Sequence, residues 1–490
     1  NLSFTGGNER VTYGVTGNYI DQEGIMKATG YRRFTFRANT DIHVSDKLTV
    51  GERFSVGMSD QSEARRGGGN APHLIALLGD PLAPVYRDPS HPDYDYETAR
   101  WGALEYSRKP NPVGILERLD NQRLKTPLIL NSYLDYEFIE GLTFRVNGGL
   151  NLLFHDYTDF SQTYYEGGIS QNELTQMNRR HWKNLSWLFE STLNYQRTFG
   201  EDHHLELLGG FSRQYSTIED FRAKKVEFPG NEEYYRYLNF GTEIVLPSDV
   251  TGTKTESAIE SLFGRMNYTF RDRYLLTASV RRDGSSRFGP DSEPLYGTTP
   301  RYDLFPSMAL AWKISNESFF EDNIKTINFM KLRLGWGQLG NDRTVKGNDY
   351  PWFSAVETNR NLQNYVLGGE IVSGGVIVGK AVRDIRWERS TQYNAGLDIN
   401  FFRNKLTFTG DVYRKVTRDQ LVAVPLPWVV GVFNNPEDTK LGSDPLLNAG
   451  AVLNQGFEFL LTYKDKKGDL SYEAGINLSH NYNEVLELGT

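Results

Sequence analysis

Residues 391–401 read Thr391-Gln392-Tyr393-Asn394-Ala395-Gly396-Leu397-Asp398-Ile399-Asn400-Phe401, and this stretch gives the clearest indication of the fold class. Apart from one threonine, the odd-numbered side chains are apolar or aromatic, whereas the even-numbered ones are glycine, amide or acidic. Because successive side chains of a β-strand point to opposite faces of a sheet, this period of two predicts a strand with one apolar and one polar face. Residues 33–42, 329–337 and 470–480 repeat the pattern, which predicts a chain built from such strands.

Short turns alternate along the sequence with long polar connections. The predicted turns lie near residues 7–9, 45–47, 139–141, 200–202, 271–273, 402–404 and 465–468, and a longer link of helical character at 315–328 joins an eighth pair. The long connections run roughly through 21–30, 59–127, 155–186, 216–260, 285–303, 340–390 and 418–453. Eight pairs predict about sixteen antiparallel strands. A soluble sandwich has no reason to gather its long connections at one end, whereas a membrane barrel has short periplasmic turns and long outer loops.

The composition also favours a membrane barrel. Aromatic residues make up 13% of the 490 residues and glycine occurs 47 times, but only 38% of the residues are hydrophobic. The sequence has no apolar run of about 18 residues, so no membrane-spanning helix is predicted. In hydrocarbon every backbone polar group must be paired, so a spanning sheet has to close on itself. We therefore predict an all-β fold, a transmembrane antiparallel β-barrel.

Charge and cysteine usage exclude some classes of protein. The formal net charge is −8, which disfavours a nucleic-acid-binding protein because such proteins carry a basic face. There is no cysteine, which suits a chain that crosses an oxidising periplasm without needing disulfides.

Several segments, in this order and spacing, carry a family resemblance. They are Arg281-Arg282-Asp283-Gly284-Ser285-Ser286-Arg287-Phe288-Gly289, Leu304-Phe305-Pro306-Ser307 with Trp312, Lys331-Leu332-Arg333 with Gly337, Gly340 and Asn341, Trp387-Glu388 with Gln392, Asn394, Gly396 and Asp398, Tyr413 with Thr417, Asp419 and Leu421, and Asn448-Ala449-Gly450 with Asn454-Gln455-Gly456-Phe457-Glu458. Together they resemble the SusC/RagA family of TonB-dependent outer-membrane transporters of Bacteroidetes. The resemblance covers nearly the whole chain and is strongest over residues 261–480.

This resemblance implies a 22-stranded barrel filled by an N-terminal plug, a TonB box that takes energy from the inner membrane, and a SusD-like lipoprotein over the outer mouth. We expect residues 1–490 to be a barrel fragment of about sixteen strands, with both ends truncated and with the plug and the last strands outside it. Its long extracellular loops are expected roughly at residues 59–127, 155–186, 216–260, 340–390 and 418–453. The location implied is the outer membrane of a Gram-negative bacterium of the Bacteroidetes type.

The implied function is active, TonB-dependent import of an oligomeric nutrient, a glycan or a peptide. The expected partners are a SusD-like lipoprotein, TonB through the N-terminal region outside this chain, outer-membrane lipid, and the oligosaccharide or peptide itself. No enzyme activity and no cofactor are expected. Polar side chains at Arg333, Asn394, Asp398 and Glu473 are expected to line the barrel interior and contact a plug.

Aromatic side chains in the long loops are the candidate substrate-binding residues, because stacking faces suit sugars and peptides. They are Tyr94, Tyr96, Trp101, Tyr164, Tyr165, Tyr234, Tyr235, Trp352 and Phe353. The alternative is that they pack the loops together or contact the lid protein. Aromatics near strand ends, namely Trp187, Tyr195, Tyr268 and Tyr413, are predicted to form the girdles at the membrane interfaces.

Three short motifs receive structural interpretations. The G-x-G-x-x-G pattern at Gly335–Gly340 precedes a loop rather than the helix that a dinucleotide site needs. Asp283 to Arg287 is predicted to be a strand end that bends into a loop, since no base and orienting group accompany its serines. His203 and His204 point to opposite faces of a strand and cannot easily share a metal ion.

Two other functions stay open from the sequence. A passive porin or scaffold barrel of sixteen strands would conduct ions without energy and without a plug. A soluble or surface β-protein that binds or hydrolyses carbohydrate would need a pair of carboxylates in one cleft, which one sequence cannot identify.

Overall fold

The structure of the chain is a computed structural model. It describes residues 1–64, 71–79, 81–102, 110–167, 170–242, 249–289, 301–342, 349–357, 364–379, 381–424 and 445–489. The predicted loop aromatics all lie within these ranges, whereas parts of several predicted loops lie outside them.

The described residues form mostly β-strands with three short α-helices. The strands are β1 (Leu2–Gly7), β2 (Val11–Glu23), β3 (Gly30–Ser45), β4 (Leu48–Ser62), β5 (Asn121–Ile139), β6 (Leu142–Ser161), β7 (Tyr164–Gly167), β8 (Ser170–Asn172), β9 (Gln176–Phe199), β10 (His203–Val226), β11 (Val250–Phe270), β12 (Tyr274–Ser285), β13 (Tyr302–Lys313), β14 (Ile327–Asn341), β15 (Ala355–Glu357), β16 (Asn364–Leu367), β17 (Glu370–Ser373), β18 (Val376–Gly379), β19 (Glu388–Phe401), β20 (Leu406–Ala423), β21 (Leu446–Lys467) and β22 (Leu470–Leu488). The helices are α1 (Pro72–Leu78), α2 (Pro112–Glu117) and α3 (Ser318–Asn323).

Sixteen of the strands form one sheet whose order follows the chain, β1-β2-β3-β4-β5-β6-β9-β10-β11-β12-β13-β14-β19-β20-β21-β22. The remaining strands pair two by two, as β7 with β8, β15 with β18 and β16 with β17. This arrangement confirms the predicted all-β fold and the predicted sixteen strands. None of the described helices is long and apolar enough to cross a membrane.

Several tight turns place a residue in the left-handed backbone region, which costs glycine least. Gly141, between β5 and β6, has φ 80°, and a side chain there would collide with the carbonyl oxygen of Gln196. The link between β13 and β14 contains a 3-10 turn at Ile314–Asn316 and then α3, as the sequence predicts.

The strands continue into segments that the hydropathy pattern assigned to connections. β6 extends to Ser161, β9 begins at Gln176 and β11 begins at Val250. The apolar alternation stops where a strand rises above the lipid, because neither face then needs apolar side chains. Hydrogen bonding between the strands continues without that pattern, so hydropathy alone underestimates their length.

The chain divides into two compact units, which are described separately. Unit 1 comprises residues 1–133, 148–187 and 216–256, and unit 2 comprises residues 134–147, 188–215 and 257–490.

In unit 2, one row of cross-strand partners is apolar and consists of Leu276, Leu310, Leu334, Ala395, Val412 and Phe457. Leu310, Leu334 and Val412 of this row are each more than 40% exposed. Large apolar side chains that are contiguous and exposed on a sheet are the expected face for lipid.

The opposite face of the same strands is polar and is joined across strands by Arg333. Its guanidinium donates to both carboxylate oxygens of Asp398 at 2.8 and 3.0 Å, and to both carboxylate oxygens of Asp411 at 2.9 and 3.0 Å. Gly396 lies between these partners, and a Cβ there would come within 2.7 Å of the Arg333 guanidinium. We call Arg333, Asp398 and Asp411 the Arg333 clamp; it connects β14, β19 and β20.

The register of the strands also shows where the other predicted polar residues lie, and it contradicts the prediction for one aromatic residue, Tyr413. Asn394 and Glu473 lie on the same polar face as Arg333, and Glu473 pairs with Lys464 at 3.2 Å. Tyr413 lies on this polar face as well, where its hydroxyl donates to Asn481 at 3.0 Å. The prediction that Tyr413 belongs to an interfacial girdle is therefore wrong, because Val412 and not Tyr413 occupies the apolar face at this point of β20.

Candidate functional site

In unit 1 the connection between β4 and β5 folds onto the β6–β9 connection through helix α2. Asn111 caps α2, since its side-chain oxygen accepts from the backbone N–H groups of Val113 and Gly114 at 2.9 and 3.1 Å. The amide nitrogen of the same side chain donates to the carbonyl oxygens of Val85 and Gly102 at 2.9 and 2.8 Å. One side chain thus fixes the helix start and two other points of the connection.

Arg118 follows α2 and lies between two aromatic rings. Its guanidinium carbon is 4.2 Å from the ring centre of Trp101 and 3.7 Å from that of Tyr164. Its charge is paired with Glu166 at 2.7 Å, and the side chain of Glu166 is completely buried. Glu166 also accepts from Ser170 Oγ at 2.7 Å and from the backbone N–H of Asn111 at 2.8 Å. A buried ion pair is stabilising only with such additional hydrogen bonds, because both charges lose their water.

Glu117 is the second acceptor of this cluster. It receives hydrogen bonds from the hydroxyl of Tyr86 at 2.8 Å, from Arg100 at 2.9 Å and from the indole N–H of Trp101 at 3.0 Å. Burial tends to raise the pKa of the Glu117 carboxyl, but these donors and the Arg100 charge outweigh burial and lower the pKa below its ordinary value. We call Trp101, Glu117, Arg118, Tyr164 and Glu166 the Arg118 cluster.

A cavity of about 610 Å³ lies beside the Arg118 cluster within unit 1. Its lining comes from the two residues after β4, from α2 and the residues on either side of it, from the facing ends of β5, β6 and β9, and from the β7–β8 pair. Amide side chains dominate the polar part, namely Asn121, Gln162, Gln171, Asn172 and Gln176. The rings of Tyr157, Phe160 and Tyr164 supply the apolar part. A concave site with aromatic faces and a few convergent polar groups is the usual form of a small-ligand site.

The charged groups of the lining are held by partners. Glu63 pairs with Arg123 at 2.6 Å, and Arg118 pairs with Glu166. Asp120 pairs with Arg236 at 2.5 Å; burial raises the pKa of Asp120, although the Arg236 charge opposes that rise. The lining therefore presents pairs of opposite charge rather than one dominant sign.

The structure places the predicted aromatics of unit 1 in different environments. Tyr164 lines the cavity, whereas Trp101 is only 2% exposed and packs the loops. Tyr96 is 68% exposed beneath Arg100, and Tyr165 has Arg87 over its ring at 5.3 Å. Tyr94 is partly exposed and follows His91, to whose carbonyl its backbone N–H bonds. Trp101 therefore has the surroundings of a residue that packs the loops together, which is the alternative that the sequence left open.

Tyr234 and Tyr235 lie in a short 3-10 turn of unit 1. Their ring centres are 4.3 Å apart, and Tyr234 is mostly exposed. In unit 2, Trp352 donates from its indole nitrogen to the carbonyl of Ser286 at 3.2 Å and packs against a buried apolar cluster, whereas its neighbour Phe353 is exposed. The predicted residues thus fall in both units, and only Tyr164 reaches the cavity.

Sequence reasoning missed Glu117, Arg118 and Glu166, which organise the candidate site. Isolated charged residues in long polar segments look like solvated surface, and Glu166 is 48 residues from Arg118 in sequence. One cue was available: the order Asn111-Pro112 before an apolar turn is the pattern of a helix start, with a capping side chain and proline at the first helical position.

The Asp283–Arg287 motif of unit 2 is a structural junction, as predicted. Arg281 pairs with Asp283 at 2.6 Å at the end of β12. Arg287 then pairs with Asp342 at 3.1 Å and with Asp349 at 3.0 Å, and Asp342 also accepts from Ser285 Oγ at 2.8 Å. Burial would lower the pKa of Arg287, but both carboxylates outweigh burial and raise it. This serine therefore donates to a structural carboxylate within an ion-pair network.

The other motifs also have structural roles. Gly335–Gly340 lies within the strand β14 and not at the start of a helix. His203 contacts the hydroxyl of Tyr268 at 2.7 Å, while His204 contacts Thr198 at 2.9 Å, so the two imidazoles have different partners. Within the described residues, no three His, Cys, Asp or Glu side chains come together as a metal ion would require.

Comparison with known proteins identifies the fold independently. A family model described as TonB dependent receptor-like, beta-barrel, matches residues 57–486. The chain is 30% identical to TonB-dependent receptor P3 of Formosa agariphila over 99% of its own length and 45% of that protein. It is 27% identical to TonB-dependent receptor SusC of Bacteroides thetaiotaomicron, over 99% of its own length and 47% of SusC. The chain thus spans about half the length of the curated relatives it matches.

A solved structure, that of the RagAB peptide transporter, superposes with a TM-score of 0.78 over 99% of this chain and 50% of that one. At 21% identity this likeness concerns the fold alone. The matches confirm the resemblance to SusC and RagA that the motifs indicated, and they confirm the barrel fold.

Proposed function

Because the chain belongs to the TonB-dependent receptor β-barrel family, we propose that the protein actively imports an oligomeric nutrient, a glycan or a peptide, across the outer membrane. The family consists of outer-membrane receptors and transporters rather than enzymes. The relatives come from Formosa agariphila and Bacteroides thetaiotaomicron, which supports an outer membrane of the Bacteroidetes type. A SusD-like surface lipoprotein and TonB are the proposed partners.

The observation that carries this proposal is the two-faced sheet together with the family match. One face of unit 2 presents exposed aliphatic side chains, and the other presents Arg333, Asp398 and Asp411. A barrel with an apolar outer face and a polar interior is stable in lipid and leaves a hydrated path for a polar solute. The polar side chains at Arg333, Asn394, Asp398 and Glu473 are proposed to face that path.

Substrate recognition is proposed to lie in the loops rather than in the strands. The loop aromatics Tyr94, Tyr96, Tyr164, Tyr165, Tyr234, Tyr235 and Phe353 remain candidates for contacts with substrate or lid. Trp101 and Trp352 are proposed to act indirectly by holding the loops in shape. The relationship to SusC and the fold shared with the RagAB peptide transporter support import, and the preference for peptides belongs to RagAB itself.

Uptake in living cells tests the proposal. A deletion strain complemented with the full-length gene would be given fluorescently labelled oligosaccharides and peptides, with and without a protonophore. Energy-dependent accumulation that requires the gene supports active import. Accumulation that persists in the protonophore would instead support the passive porin. A sheet of sixteen strands is also the size of a porin barrel, so the strand number does not separate the two functions. A lipoprotein that co-purifies with the full-length protein would support the proposed lid.

A further inference from the structure

We infer that the cavity beside the Arg118 cluster binds an uncharged, hydroxyl-rich ligand, the chemical class of neutral oligosaccharides. The inference rests on the proposed function, because it names the substrate class of the same import pathway. Three features of the lining support it: the charges are already paired, a polar side chain remains available, and two rings are held in place.

The paired charges argue against an anionic ligand. Three pairs, Glu63 with Arg123, Asp120 with Arg236 and Arg118 with Glu166, neutralise the cations at 2.5–2.7 Å. A sulfated or uronate sugar would have to compete with these carboxylates for the same guanidinium groups, and would leave a carboxylate unpaired in a partly buried site.

The same pairing argues against a charged peptide. A short peptide carries an ammonium and a carboxylate at its ends, and both need a partner when they lose water. Within the described lining every basic side chain is bonded to a carboxylate, so the peptide carboxylate would meet no free cation. A neutral sugar has no such requirement.

The remaining polar groups suit hydroxyls. The side chain of Gln176 has no hydrogen-bond partner among the described residues, and it offers two N–H donors and a carbonyl acceptor. Asn172 uses its amide nitrogen on the carbonyls of Gln162 and Leu174 at 2.6 and 2.9 Å, which fixes its orientation. Amide side chains that both donate and accept match a hydroxyl group, which does the same.

Two rings of the lining are held in fixed positions. Arg123 lies over Tyr157 at 5.4 Å and Arg118 lies over Tyr164 at 3.7 Å, so each ring has a guanidinium on one face. Each guanidinium is in turn fixed by its carboxylate. A ring supported in this way loses little conformational entropy when a ligand stacks on it, which favours binding.

Binding to an array of immobilised neutral oligosaccharides, uronate oligosaccharides and short peptides tests the inference. The full-length protein in detergent should bind members of the neutral set. Gln176→Ala should weaken that binding about threefold to tenfold, the loss expected for one neutral hydrogen bond. Tyr157→Leu should weaken it at least as much, and a circular dichroism melt would show whether each variant is folded.

Lys125 provides the matched control. It follows Arg123 by two residues on β5 and has no ion-pair partner among the described residues, but it does not line the cavity. Lys125→Gln should leave neutral sugar binding unchanged. Loss of binding in this variant, or an array on which only uronate sugars, only peptides or nothing binds, would overturn the inference. Energy-dependent uptake in cells would still stand as a separate result, so failure here would not be confused with failure of the proposed import.

Discussion

Glu117 is one residue that holds the loops of unit 1 together. Its carboxylate accepts from Tyr86, Arg100 and Trp101, which come from two parts of the β4–β5 connection. Isosteric replacement by an amide keeps the shape but removes the charge, and it places an NH₂ group toward donors. The effect of this replacement on the stability of the loops can be measured in the loops themselves, because Glu117 lies outside the strands.

Glu117→Gln is expected to destabilise these loops by about 2 kcal/mol, the range for losing hydrogen bonds to a charged group. The measurement is hydrogen exchange of the backbone amides between residues 85 and 118. Glu97→Gln lies in the same connection and is the control, since its side chain has no partner among the described residues. Equal exchange rates in the two variants would contradict the role given to Glu117.

The same carboxyl predicts a pH dependence. Its pKa in the folded protein lies below its ordinary value of 4.5. Its stabilising contribution is therefore fully present above about pH 4.5 and is lost as the pH falls through the lowered value. Limited proteolysis of the loops should accelerate in this acidic window in the natural protein. In Glu117→Gln the proteolysis rate should not show this acceleration at acidic pH. If the natural protein and the variant have the same pH dependence, Glu117 is not the titrating group.

At this scale the sequence predicted little of the candidate site. Aromatic residues could be chosen because stacking faces are recognisable by type, and Tyr164 does line the cavity. The partners of Arg118 could not be chosen, because Trp101, Tyr164 and Glu166 meet it only after two long connections fold onto each other. Whether an aromatic ring packs or is exposed depends on such long-range contacts, which have no local pattern.

Strands and turns are the scale at which the sequence was most informative. The period of two at residues 391–401 became β19, and Leu334 and Arg333 fall on opposite faces as the alternation requires. The ends of the strands were not predictable in the same way. Residues 176–184 are hydrogen-bonded as the first part of β9, but their side chains show no apolar alternation; that alternation begins only at Leu185.

The turn at Gly141 between β5 and β6 is expected to tolerate no side chain. Gly141→Ala forces a left-handed alanine and a clash with the Gln196 carbonyl. Gly200 also has a positive φ of 62° but has open space where a Cβ would be, so Gly200→Ala bears only the backbone cost of about 1–2 kcal/mol. Gly141→Ala should therefore lower the melting temperature further than Gly200→Ala. The reverse order in a thermal melt would contradict the packing around this turn.

The two faces of the sheet predict different responses to the same substitution. Leu334→Arg places a charge on the exposed apolar face, where lipid would make it cost up to about 4 kcal/mol. Gln392→Arg introduces the same side chain on the polar face, opposite Gly337. The first variant should fail to reach the outer membrane in normal amounts while the second should reach it, as measured by immunoblots of membrane fractions. Equal amounts of both would argue against lipid contact at Leu334.

The exposed apolar face of the sheet determines whether the protein is stable in water or in a membrane. The exposed row of unit 2 predicts that the protein partitions with membranes and needs detergent to stay in solution. The measurement is sedimentation of a cell lysate before and after addition of detergent. Recovery of full-length protein in the detergent-free supernatant would instead favour the soluble carbohydrate-binding protein that the sequence left open. The family match over residues 57–486 makes the membrane result the expected one.

If the protein performs the energy-dependent import proposed above, the Arg333 clamp has a mechanical consequence. While something inside the barrel is pulled, the wall must resist sliding of one strand along its neighbour. A slip of β14 by a single residue against β19 and β20 would break four charge-assisted hydrogen bonds at once. The wall at this point should therefore bear load as a stiff frame, so that force moves the cargo and does not shear the frame.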